Sequence, residues 1–131
     1  MQIIKLAATT VALLVSGSVA LAVPIPVTTC GQVVQGTGQL VADLDCSAVA
    51  DDAVKLAGRL LLGGFTLIGH PAFNVVRCRT GAWRVTGPGT MTGGLDGVRS
   101  DRSARVEAAA VVTGNGGDGV RTDKAAKVLD A

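Results

Sequence analysis

Basic side chains recur at a fixed interval along this 131-residue chain. Four of them follow a valine directly and are evenly spaced: Lys55, Arg77, Arg99 and Arg121. A second series has nearly the same spacing: Arg84, Arg105 and Lys127. Cations repeated along one surface could neutralise a repeating polyanion such as an acidic polysaccharide. The competing interpretation is a solvated face whose charges deter association between strand edges.

Carboxylates recur with the same repeat at Asp96 and Asp118 and at Asp101 and Asp123. Aspartates beside glycine-rich corners serve turns more often than acid/base chemistry. Catalysis would need two carboxylates at a fixed separation, or a base beside a nucleophile, within a cleft. The one adjacent acidic pair, residues 51–52, falls in the expected N-terminal cap. We therefore assign no catalytic residue.

Other candidate sites have little support in the sequence. The chain has one histidine and no C-x-x-C motif, so we predict neither a metal site nor a cofactor. The glycine-rich segment 114–119 is similar to a calcium-binding nonapeptide turn, but it occurs once. Trp83 could stack on a sugar ring or cap the edge of a coil. A net charge of +2 does not favour nucleic acid as a partner.

The N-terminal segment, 1–22, has the features of a secretory signal peptide. Lys5 supplies the positive charge, an apolar run follows, and Ala20 and Ala22 form an A-x-A cleavage site. The apolar run is too short and too interrupted for a membrane span. We expect a secreted or periplasmic protein that begins at Val23, with no membrane association after cleavage.

Because the protein is expected to be exported to an oxidising compartment, where thiols can pair, two of its three cysteines can form a disulfide. Cys30 and Cys46 are close in sequence and are the expected disulfide. Cys78 is left over and is expected to be buried.

A 22-residue repeat organises the remainder of the chain, since DGVRSDRSARV at 96–106 matches DGVRTDKAAKV at 118–128. Repeats this short leave space for strands and turns but not for a helical solenoid. We predict an N-terminal cap over 23–52 and about four parallel coils over 53–131, ending in mid-coil. An amphipathic helix over 47–62 is the alternative there, although Gly58 is a poor mid-helix residue. An uncapped last coil would expose an edge through which chains could self-associate.

Four segments resemble the right-handed parallel β-helix proteins of the pectate-lyase-like class: TCG at 29–31, DLDC at 43–46, LLLGGFTLIG at 60–69 and TGNGGDGV at 113–120. The resemblance covers essentially all of the mature chain and implies an all-β solenoid, here a short or truncated member. It does not transfer catalytic residues, because the Asn-Thr-Asp and Gly-His-Gly signatures of pectin-degrading relatives are absent.

Alternation along a β-strand then orients the repeated residues. If Val54 points inward, so do Leu56 and its equivalent Cys78, while Lys55 and the other basic residues of both series point outward. We expect binding of an acidic polysaccharide through these outward residues and Trp83. The alternatives are a fragment of a polysaccharide lyase or hydrolase and a structural, adhesin-like scaffold.

Overall fold

The computed structural model describes residues 23–79, 83–124 and 126–129; the expected signal peptide lies outside these ranges. The described residues form strands and no helix. The strands, in chain order, are β1 (Ile25–Val27), β2 (Gln32–Leu40), β3 (Leu44–Asp45), β4 (Val54–Leu61), β5 (Thr66–Ile68), β6 (Val76–Cys78), β7 (Trp83–Thr86), β8 (Gly89–Thr92), β9 (Val98–Ser100), β10 (Ala104–Glu107), β11 (Ala110–Val112), β12 (Val120–Thr122) and β13 (Ala126–Leu129).

The strands stack in parallel as a β-solenoid of about four turns of about 22 residues, which confirms the predicted fold class. A first face holds the beginnings of β2 and β4 followed by β6, β9 and β12. A second face holds β1, the ends of β2 and β4, then β7, β10 and β13. A third face holds β3, β5, β8 and β11. The region expected as a cap, 23–52, contains β1 and the first coil.

Long strands serve two faces at once in the first two coils. β2 and β4 each pass from the first face to the second through a glycine in a left-handed conformation, Gly36 (φ 97°) and Gly58 (φ 146°). Later coils replace the long strand by two short ones. Leu56 pairs with Cys78 in the 22-residue register, but Leu60 pairs with Val85, three positions beyond that register. The chain therefore carries an insertion between these two faces.

The core consists of side chains stacked at equivalent positions of successive coils. On the first face Val54, Val76 and Val98 align and are fully buried. On the second face Leu60, Val85 and Val106 do the same. On the third face Leu67 and Met91 are buried between Leu44 and Val112. Each coil therefore buries its apolar side chains against the coils on either side of it. This is expected of a repeat protein, in which a single repeat contacts only its neighbours and forms no core by itself.

A corner column of acidic and amide side chains links successive coils. Oδ1 of Asp96 accepts a hydrogen bond from the backbone N–H of Asp118 at 2.8 Å, and Oδ1 of Asp52 accepts one from Asn74 at 2.9 Å. Asp96 is 2% exposed, so its carboxylate is committed to this contact. Asp96 therefore lies at a corner, as predicted, but its carboxylate bonds to the next coil and not within its own turn. The same 22-residue spacing also assigns Asp52 and Asn74 to this column, which was not recognised from the sequence.

The segment that could also have been a helix, 47–62, contains β4 instead, and the predicted strand is confirmed from Val54 onward. The predicted disulfide is also present: Cys30 and Cys46 are bonded, with their Cα atoms 5.6 Å apart. It joins the turn after β1 to the residue that follows β3.

Cys78 is a free, fully buried cysteine in the inward column formed by Val34, Leu56, Cys78, Ser100 and Thr122. Loss of hydration raises the pKa of its thiol from an ordinary value of 9.0 to about 12, although the nearby Arg77 opposes the shift.

Burial of Cys78 predicts a loss of stability at alkaline pH. The unfolded thiol ionises above about pH 9 while the folded thiol stays neutral up to about pH 12, so this contribution to folding is complete below pH 9 and decreases as pH rises. The expected slope is about 1.4 kcal/mol per pH unit in the free energy of unfolding. Urea unfolding between these pH values measures it. Cys78→Ser should have a shallower slope, and equal slopes would contradict the burial of an un-ionised thiol.

Candidate functional site

The first basic series forms a column on the first face. Parallel pairing aligns its four members across successive coils, and we call this column the first ladder: Lys55, Arg77, Arg99 and Arg121. Their neighbours in the strands are the inward valines, so alternation directs the basic side chains outward. The column continues one coil earlier at Val33, which is 51% exposed and uncharged.

Carboxylates of the same face neutralise most of the first ladder. Nζ of Lys55 lies 2.6 Å from Oδ2 of Asp51. Nη2 of Arg77 donates to both carboxylate oxygens of Asp101, at 3.1 and 3.0 Å.

Arg99 repeats the pairing one coil later, with Nη2 at 3.8 Å from Oδ1 of Asp123. Both aspartates stand in the coil that follows their arginine, so these ion pairs connect coils. The hydrogen bond from Lys55 also lowers the pKa of Asp51, which keeps that carboxylate charged.

The second basic series forms a column on the second face, and the structure adds a residue to it. Arg84, Arg105 and Lys127 align across β7, β10 and β13, and Arg59 of β4 aligns with Arg84. We call these four residues the second ladder. Arg59 was not predicted because its partner Arg84 lies three positions beyond the 22-residue register.

Carboxylate partners are fewer along the second ladder. Glu107 lies 3.6 Å from Nε of Arg84 and 3.6 Å from Nε of Arg105. Within the described ranges, no carboxylate approaches Arg59 or Lys127 within 4.0 Å. In that part of the chain, four cations in this column are therefore opposed by one carboxylate, whereas three carboxylates oppose the first ladder.

A groove of about 700 Å³ runs beside the second ladder, at the corner where the long strands bend. All four ladder residues line it, together with apolar and small residues of the corner; we call it the basic groove: Gly36, Thr37, Gly58, Arg59, Trp83, Arg84, Ser103, Ala104, Arg105 and Lys127. The lining residues come from successive coils, so the groove follows the solenoid axis.

Trp83 does not have the exposure expected of a sugar-stacking platform. It lies in an inward position of β7, aligned with Ala104, and is 4% exposed. Because strand alternation directs Arg84 outward, it directs Trp83 and Val85 into the core. The proposed stacking role is therefore corrected: Trp83 borders the basic groove as a buried core residue, without an open ring face.

A smaller cavity of about 400 Å³ lies on the first face and is lined by residues of both charges: Asp52, Lys55, Arg77, Cys78, Arg79 and Asp101. Two of its cations, Lys55 and Arg77, already donate hydrogen bonds to carboxylates. Ion pairs within the protein therefore engage the cations of the first ladder that line this cavity.

Metal ligands do not converge in this structure: the described ranges contain no group of three or more histidine, cysteine, aspartate or glutamate side chains able to hold a metal ion. Nor do those ranges contain a helix with the length and hydropathy needed to cross a bilayer. In the last described coil, Val111 of β11 and Val128 and Leu129 of β13 are exposed. Self-association through that edge stays a prediction.

Comparison with known protein families, with characterised proteins and with solved structures finds no match for this chain.

Proposed function

We propose that this protein is an exported β-solenoid that binds an acidic polysaccharide along the basic groove. The observation that carries the proposal is the difference between the two ladders. Over the described residues, three of the four cations of the first ladder each have a carboxylate of their own, whereas the four cations of the second share one carboxylate beside an open groove.

The spacing of the second ladder favours a linear polymer as the ligand. Equivalent residues of parallel strands are about 4.8 Å apart. The four basic residues of the second ladder therefore repeat along the solenoid axis at a short, regular interval. A polysaccharide with one acidic group per sugar unit could place successive acidic groups beside successive basic residues. Each solvent-exposed contact contributes little by itself, and several together give useful affinity.

Membership of the pectate-lyase-like class of right-handed β-helices is part of this proposal. Its support is the 22-residue coil, the parallel stacking and the sequence segments described above. Secretion or periplasmic location is likewise proposed, and the disulfide between Cys30 and Cys46 is consistent with an oxidising compartment.

The test compares two double variants that each remove two positive charges from one ladder. Arg59→Ser with Lys127→Ser should weaken the affinity for pectate about tenfold, since these two cations of the groove have no carboxylate within 4.0 Å in the described ranges and their contacts with the ligand are lost. Arg77→Ser with Arg99→Ser should change it less than about threefold, because those arginines are already paired within the protein. Calorimetric titration with pectate oligomers measures both, and affinity should fall as salt rises.

Each other outcome has a definite meaning. No binding by the parent protein would reject the function and favour a structural scaffold. A larger loss in the Arg77 and Arg99 variant would place the ligand on the first ladder instead. Cleavage of pectate during the titration would favour the alternative that this chain belongs to a polysaccharide lyase or hydrolase.

A further inference from the structure

In the described part of the second face, Glu107 lies between two arginines of the second ladder. Its two carboxylate oxygens face different coils, Oε2 towards Nε of Arg84 and Oε1 towards Nε of Arg105. It stands two residues after Arg105 in β10 and therefore points outward from the same strand. It is not among the residues that line the basic groove.

The contacts of Glu107 are electrostatic and not directional. Both oxygen-to-Nε distances are 3.6 Å, longer than a hydrogen bond. Asp101, by contrast, accepts two hydrogen bonds from Arg77 at 3.0 and 3.1 Å. A carboxylate without directional contacts does not fix the orientation of a guanidinium group. Glu107 therefore acts on Arg84 and Arg105 through its charge.

That charge affects different polyanions to different extents. The energy of a bound polymer in the groove scales with the charge it places there multiplied by the local potential. The fixed negative charge of Glu107, beside two of the four basic residues of the second ladder, lowers the positive potential in the basic groove. It therefore weakens the binding of a densely charged polymer more than that of a sparsely charged one.

We propose that Glu107 is a specificity-determining residue, which limits the affinity of the basic groove for polyanions of the highest charge density. This inference rests on the proposed function, because it concerns the same groove. Its effect is to leave chains with one carboxylate per sugar unit as relatively better ligands than polysulfates.

The test uses Glu107→Gln, which removes the charge and keeps the size of the side chain. Pectate and dextran sulfate serve as probes at about 50 mM salt, where screening is weak. The variant should bind pectate about threefold more tightly and dextran sulfate about tenfold more tightly than the parent. The matched control is Asp101→Asn, which makes the same change of charge on the first ladder and should alter either affinity less than about twofold.

The two proposals can fail separately. Binding of pectate by the parent decides the proposed function, whereas the ratio of variant to parent affinity for dextran sulfate decides the role of Glu107. An unchanged or weaker affinity of Glu107→Gln for dextran sulfate would overturn the inference, as would a pectate gain at least as large. An equal gain in Asp101→Asn would also overturn it. Failure of every protein to bind either polymer would reject both.

Discussion

Replacing Gly58 with alanine is expected to lower the free energy of unfolding by about 4 kcal/mol or to prevent folding altogether. A Cβ atom at this position would lie 2.1 Å from the carbonyl oxygen of Gly36 and 3.0 Å from its nitrogen. The neighbouring coil is backbone at this point, so no side chain can move aside. The left-handed φ of 146° adds strain that an alanine tolerates poorly.

Gly36→Ala is the matched control, because it tests conformational strain without the steric clash. Gly36 also has a positive φ, 97°, but a Cβ there would meet no atom within 4 Å. We expect a loss of about 1–2 kcal/mol for this variant. Urea unfolding of both variants, followed by circular dichroism, gives the difference. Equal losses would mean that the two coils do not approach as closely as described.

Removal of the disulfide is expected to cost about 3 kcal/mol in the free energy of unfolding, because the crosslink closes a loop with a sequence separation of 16 residues. Cys30→Ala with Cys46→Ala makes this change. The first coil should be affected most, since the bond anchors the turn after β1 to the end of β3. Thermal and urea unfolding with and without reductant measure the effect.

Reductant supplies the internal control for the disulfide variant. It should destabilise the parent by about the same amount as the double substitution and leave the double variant unchanged. Cys78→Ser should respond to reductant as the parent does, because Cys78 is not bonded. A parent insensitive to reductant, with the bond shown to be reduced, would contradict the expected contribution.

The 22-residue repeat allowed the coil, its inward columns and the outward first ladder to be predicted, because a solenoid places equivalent residues side by side. The spacing is uniform from Val54 through Val76 and Val98 to Val120. The burial of Cys78 followed from the same reasoning, whereas the disulfide was predicted from the expected export and the short spacing of Cys30 and Cys46. Arg59 was missed because an insertion shifts its partner to Arg84, and a strict period cannot detect such a shift.

The relative importance of the two ladders could not be predicted, since it depends on which side chains reach each other across coils. Asp101 and Asp123 pair with Arg77 and Arg99. Nothing in the sequence distinguished these carboxylates, which each pair with one arginine, from Glu107, which lies 3.6 Å from two arginines. Trp83 likewise required the structure, because its direction depends on the strand register next to the insertion.

The ion pairs between coils bear on how such a chain can change in length during evolution. Arg77 pairs with Asp101 and Arg99 with Asp123, at the same separation along the chain. A tandem duplication or deletion of residues 98–119 would move Arg99 and Asp101 together, so each arginine of these two pairs that remains would still meet an aspartate at that separation. Gene rearrangements by whole repeats thus preserve charge balance on the first face, whereas insertions of other lengths within a coil would separate the partners.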